Sequence, residues 1–159
     1  DRGRQSQRER SRHGREELGR FGRVVLLHLV HELEVALLRF LLDEDGEVER
    51  VLHPALPSDP GHALWKRDFA GASGLFGVVL KPMNRKAYAA LIDSLELFGI
   101  GASWGGYESL IMPMSPGDTR SATQWPHAGL CFRIHAGLEN PDDLLADLDA
   151  GFRRLRESL

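Results

Sequence analysis

The sequence predicts a mixed domain of the α/β class, α+β in type, with about four short strands and helices over one face of their sheet. Three observations carry this. Short apolar runs recur at residues 47–52, 75–80, 110–112 and 130–135. Segments of helical period lie at 26–41, 84–98 and 140–155. The stretch between the third and fourth strands has no period and is rich in turn residues, which suggests an antiparallel return rather than a helical crossover.

The chain has 159 residues, 42% of them apolar, and a net charge of -3. That is enough for one domain with a core and too little for two large ones. The slight acidity argues against nucleic acid as a partner of the whole chain. A single cysteine, Cys131, rules out an internal disulfide and makes a cytoplasmic location the default. The apolar stretch 24–42 is broken by His28, His31, Glu32, Glu34 and Arg39, so it is a poor membrane span.

Taken in order, residues 1–23 hold eight arginines and almost nothing to bury. They are expected to form a basic, mobile leader, since such a segment cannot offset its ordering entropy. Residues 24–46 read as a helix leading into the domain, with Leu26, Leu29, Val30, Leu33, Leu37, Phe40 and Leu41 on one face and Gly46 as its cap. Residues 47–159 form the domain itself. After the first strand, His53 to Ser58 is a proline-punctuated loop. Pro60 is expected in the first turn of a helix reaching Phe69, with Trp65 turned inward and Lys66, Arg67 and Asp68 in water. Gly71 to Gly74 matches no phosphate-binding fingerprint and reads as a turn before the strand Leu75–Leu80.

Asn84 is placed to cap the next helix, whose buried stripe would be Tyr88, Leu91, Ile92, Leu95 and Phe98, with Gly99 and Gly101 stopping it. Asn140, Pro141, Asp142 and Asp143 open the last helix with a cap, a proline and first-turn acids. Leu144, Leu145, Leu148, Phe152 and Leu155 make its apolar face, and Arg153, Arg154 and Arg156 suit its other end.

Two places stand out for chemistry. The run Gly101-Ala102-Ser103-Trp104-Gly105-Gly106-Tyr107-Glu108-Ser109 puts glycines just before a strand, where a backbone passes close to a ligand or to another backbone. Arg133 sits inside the apolar strand 130–135 on the face shared with Cys131 and His135. A guanidinium there needs a partner, either a structural ion pair or a bound anion. Cys131 reads as a packed thiol and His135 as a hydrogen-bonded histidine. Glu108 could tether the strand. His28, His31, His53, His62 and His127 lack zinc-ligand spacing, so no metal is expected.

The stretches "VERVLHPALPSDPGHALWKRDFAGASGLF", "SWGGYESLI" and "CFRIHAGLENPDDLLADLDAGF" resemble the C-terminal end of the Cys/Met-metabolism family of pyridoxal-phosphate enzymes, in particular its cystathionine β-lyase branch, from about Val48 onward. The resemblance implies the small C-terminal domain of a fold-type-I enzyme. It implies that Arg133, in "RIHAGLEN", grips the α-carboxylate of a thioether amino acid, with Ser103 and Trp104 beside it. The implied reaction is a pyridoxal-phosphate-dependent carbon–sulfur cleavage in methionine and transsulfuration metabolism, cystathionine giving homocysteine, pyruvate and ammonia.

The family's cofactor-binding residues and catalytic lysine belong to a large domain that no segment here matches. The chain is therefore expected to be a C-terminal portion, inactive and without cofactor by itself, whose partners are that large domain and further copies of the enzyme. A second reading is a non-catalytic remnant or interaction module. A third is a basic-tailed nucleic-acid binder, whose binding would weaken steeply with salt.

Overall fold

A computed structural model describes residues 35–42, 46–104 and 106–159. The leader 1–23 and the first part of the helix expected over 24–46 lie outside the described residues. Helix α1 covers residues 35–42. The remaining elements are β1 (Val48–Leu52), α2 (His62–Asp68), β2 (Leu75–Leu80), α3 (Arg85–Ile92), β3 (Gly99–Ile100), β4 (Leu110–Met114), α4 (Pro116–Thr119), β5 (Cys131–His135) and α5 (Pro141–Glu157).

The strands form one sheet in the order β1-β2-β5-β4-β3. Four of them pair antiparallel, including the expected β4–β5 pair. The fifth, β3, runs parallel to β4 along two residues. Its glycine, Gly99, had been expected to do no more than stop α3.

Register fixes what each face carries. Ile134 pairs with Phe76 on one side and Ile111 on the other, and Phe132 pairs with Val78, so these side chains share one face. They join Leu37 and Leu41 of α1, Leu91 of α3, and Leu144, Leu148, Phe152 and Leu155 of α5 in a single core. Most of these are fully buried, and each contributes roughly 1.5–3 kcal/mol by leaving water. The helices thus cover one face, as the sequence predicts. Gly151 is needed where α5 crosses α3: a Cβ there would stand 2.8 Å from Leu91 Cδ1 and 3.3 Å from the Leu91 carbonyl.

The expected caps form. Asn84 Oδ1 accepts from the Ala87 N–H at 2.8 Å, and Asn140 Oδ1 from the Asp142 N–H at 2.9 Å. Helix α3 ends at Ile92, short of the expected stop at Gly99. The cause lies on another helix. Asp147 of α5 accepts from the N–H groups of Glu96 and Leu97 at 2.8–3.1 Å, so these donors need no helix of their own. Phe98 is still buried, as expected, while Tyr88 and Leu95 are half-buried.

Helix α2 departs from the sequence reading in two ways. It starts at His62 after a Gly61 cap, with Pro60 ahead of it, and it buries no side chain. Trp65 lies against the His62 ring and donates to the Gly71 carbonyl at 3.1 Å rather than entering the core. Lys66, Arg67 and Asp68 face water as expected. The aperiodic loop after β4 holds one short turn of helix, α4. No described helix is long and apolar enough to cross a membrane.

Candidate functional site

Every second residue of β5 points away from the helices. Cys131, Arg133 and His135 therefore stand on the open face, opposite the buried Phe132 and Ile134. Arg133 lies in a row with Gly77 and Leu52 on one side and Met112 on the other. Gly77 adds no side chain beside it.

The guanidinium of Arg133 is sparingly used. One amino nitrogen, Nη2, donates to the Ser103 carbonyl at a long 3.3 Å. The Trp104 ring centroid is 6.0 Å from its Cζ, the outer limit of a cation–π contact. Its Nε is buried with no hydrogen-bond partner among the described residues. No described carboxylate pairs with it. The structural ion pair that the sequence left open is therefore not made within the described residues. What remains is a planar fork with donors to spare, the geometry that binds a carboxylate two-pronged. Ser103 and Trp104 are exposed beside it, Trp104 by 74%. The three residues singled out by sequence, Arg133, Ser103 and Trp104, thus meet on the open face, beside the middle of β5.

The loop that carries Ser103 and Trp104 runs alongside β5 and its extension in the same chain direction, then turns back as β4. Several contacts hold it there. Arg133 reaches Ser103, His135 Nε2 lies 3.2 Å from the Gly106 carbonyl, and Glu139 holds Ser109. Ser109, 1% exposed, donates its N–H and its hydroxyl to the two Glu139 oxygens, both at 2.7 Å. Its hydroxyl oxygen accepts from the Gly137 N–H at 2.9 Å. Leu138 N–H reaches the Tyr107 carbonyl at 2.9 Å. Gly137 admits no side chain, since a Cβ would stand 2.3 Å from the Tyr107 carbonyl oxygen.

Burial raises the Glu139 carboxyl, but the two Ser109 donors, its own N–H and the nearby His135 outweigh this and hold it below the usual range. From the sequence, Glu108 was one candidate for tethering the strand. That residue is exposed and instead raises the Tyr107 phenol by hydrogen bonding and charge. The signal for Glu139 and Gly137 was present in "RIHAGLEN", but nothing in it said which loop they hold.

Cys131 is a packed thiol, as expected: buried, donating from Sγ to the Met114 carbonyl at 3.1 Å, and pushed up in pKa by burial. No group of three or more possible metal ligands occurs among the described residues. His53, His62 and His127 are separately engaged, with Ala55, Pro54 and Glu49. His28 and His31 lie outside the described residues. An open bowl of about 510 Å³ in the loop 117–127 shares no lining residue with the Arg133 site.

The sequence pattern of the Cys/Met metabolism PLP-dependent enzymes matches residues 30–153, so the chain belongs to that family. The match starts upstream of Val48, where the visible motifs begin, and takes in α1. Two relatives in the family are cystathionine beta-lyases. That of Escherichia coli is 46% identical over 135 residues, covering 82% of this chain and 34% of the relative. That of Salmonella typhimurium is 50% identical over 113 residues, covering 69% and 29%. Among solved structures, a cystathionine gamma synthase from Xanthomonas oryzae pv. oryzae in complex with cystathionine superimposes with a TM-score of 0.70 at 31% identity, over 84% of this chain and 35% of that one. The chain thus spans about a third of the length of its curated relatives.

A family cofactor held as an imine needs a lysine in a dedicated pocket or with a lowered pKa. The chain's three lysines, Lys66, Lys81 and Lys86, are all exposed, on α2, just after β2 and in the first turn of α3. None of the three is enclosed in such a pocket among the described residues.

Proposed function

We propose that this chain supplies the substrate-carboxylate grip of a pyridoxal-phosphate-dependent carbon–sulfur lyase of the cystathionine β-lyase type. The observation that carries the reading is the Arg133 guanidinium, with a buried Nε and no acid beside it among the described residues. A thioether amino acid such as cystathionine presents the α-carboxylate that this fork suits. Ser103 lies beside that position through its backbone, and the exposed indole of Trp104 would wall the amino-acid end. Arg133 moves no proton. It fixes one end of the substrate and so sets the direction of the bonds at Cα, a contribution of orientation.

The cofactor and its lysine would come from a large domain of the same enzyme, because the lysines here are unsuited. Ile100, Trp104, Tyr107 and Leu138, each 51–74% exposed, lie on or next to the site loop and would meet that domain. The chain by itself is then inactive and holds no pyridoxal phosphate.

Arg133→Lys in the enzyme assembled with its pyridoxal-phosphate domain tests the reading. Lysine keeps the charge and loses the fork. A charge-assisted pair is worth roughly 1.5–3 kcal/mol, so kcat/KM should fall about tenfold or more. An unchanged kcat/KM would make Arg133 structural.

A further inference from the structure

We infer that Glu139 is a positioning residue for the Arg133 site: its carboxylate latches the loop bearing Ser103 and Trp104 to the end of β5, independently of Arg133. The inference rests on the carboxylate-binding reading above.

The loop is anchored unequally at its two ends. At the Arg133 end it is held by one bond of 3.3 Å, to the Ser103 carbonyl. At the Glu139 end, six residues further along each segment, it is held by two charge-assisted bonds of 2.7 Å to Ser109. The Ser109 hydroxyl is used both ways, donating to Glu139 and accepting from Gly137. A carboxylate arriving at Arg133 competes for the nitrogen that holds Ser103. If that bond were the loop's main tether, substrate would loosen the very wall it needs. With Glu139 holding Ser109, Arg133 can exchange the Ser103 carbonyl for substrate while the loop keeps its place. The contact of His135 with the Gly106 carbonyl, between the two ends, carries the restraint towards Trp104.

Glutamine at position 139 keeps the shape but replaces one acceptor by a donor. The single oxygen left cannot take both the Ser109 N–H and the Ser109 O–H in the native geometry, so one of the two donors loses its acceptor. In the full 159-residue chain, Glu139→Gln should speed exchange of the Ser109 amide about tenfold or more. It should also broaden the Trp104 indole and Arg133 Nε–H signals, leaving α5 amides such as Leu148 and Phe152 protected. Ser109→Ala, which keeps the backbone bond and loses the hydroxyl, should act in the same direction less strongly, and it decides the matter if Glu139→Gln does not fold.

Unchanged Ser109 exchange and unchanged Trp104 signals in a folded variant would overturn the latch. In the assembled enzyme Glu139→Gln should raise KM more than it lowers kcat, whereas a purely structural lesion would lower kcat through loss of active protein at constant KM. An inert Arg133→Lys with a loosened Glu139→Gln loop would sink the carboxylate reading and leave the latch standing as a loop anchor. An inert Glu139→Gln with an impaired Arg133→Lys would do the reverse.

Discussion

The two faces of β5 differ by one residue step and obey different rules. Phe132 and Ile134, at most 1% exposed, are closed in by α1, α3 and α5, and every contact they make is internal. Arg133, between them, faces the open side with most of its donors unspent. Arg154 of α5 also has a buried Nε without a partner, yet its Nη2 donates to the Ser94 carbonyl at 2.8 Å and so joins α5 to the chain after α3. Arg133 joins nothing so firmly. One face of the sheet is finished by the chain itself, and the other leaves most of the Arg133 donors unspent within the described residues.

The sharpest test of that contrast is truncation at neighbouring positions. Phe132→Ala should cost about 3–5 kcal/mol in denaturant unfolding, because the core cannot close on the space left. Arg133→Ala should change stability by less than about 1 kcal/mol. Equal losses at the two positions would erase the distinction.

Gly137→Ala comes next in size. The backbone of Tyr107 and Glu108 blocks a methyl there, at 2.3 and 2.6 Å. Overpacking of this kind costs roughly 1–3 kcal/mol, so the melting temperature should fall while α5 stays helical. An unshifted melting temperature would mean that the loop yields freely and does not frame the site.

Acid should affect the open face through Glu139. Its carboxyl is held below its ordinary value in the folded chain. The stability it contributes is therefore fully present above the unfolded pKa of about 4.3 and is lost as pH falls through the lower folded value. Glu139→Gln should flatten the pH dependence of unfolding below about pH 4.5 relative to the parent, with the two approaching each other at the acid end. Parallel curves would remove Glu139 from that transition.

The smallest effect concerns Cys131, on the same face but closed over. Burial raises its thiol, so the folded chain should react slowly with a thiol reagent near pH 8 and the unfolded chain fast. Equal rates would show that the open face is open at Cys131 as well.

The local chemistry of the sequence was enough for four of the five strands, both caps and the alternation that sets Arg133 apart from Phe132 and Ile134. These depend on neighbours within a few residues, through side-chain period and the orphan N–H groups of a helix start. It was also enough, through "SWGGYESLI" and "RIHAGLEN", to bring Ser103, Trp104 and Arg133 under one expectation. The sequence did not reach what rests on partners far along the chain. Asp147 ends α3 from about 50 residues away. Glu139, rather than Glu108, holds Ser109 across 30 residues. Trp65 stays out of the core because α2 lies where no core reaches it. A hydrogen-bond donor accepts whichever acceptor the fold brings near, and no spacing along the chain announces which that will be.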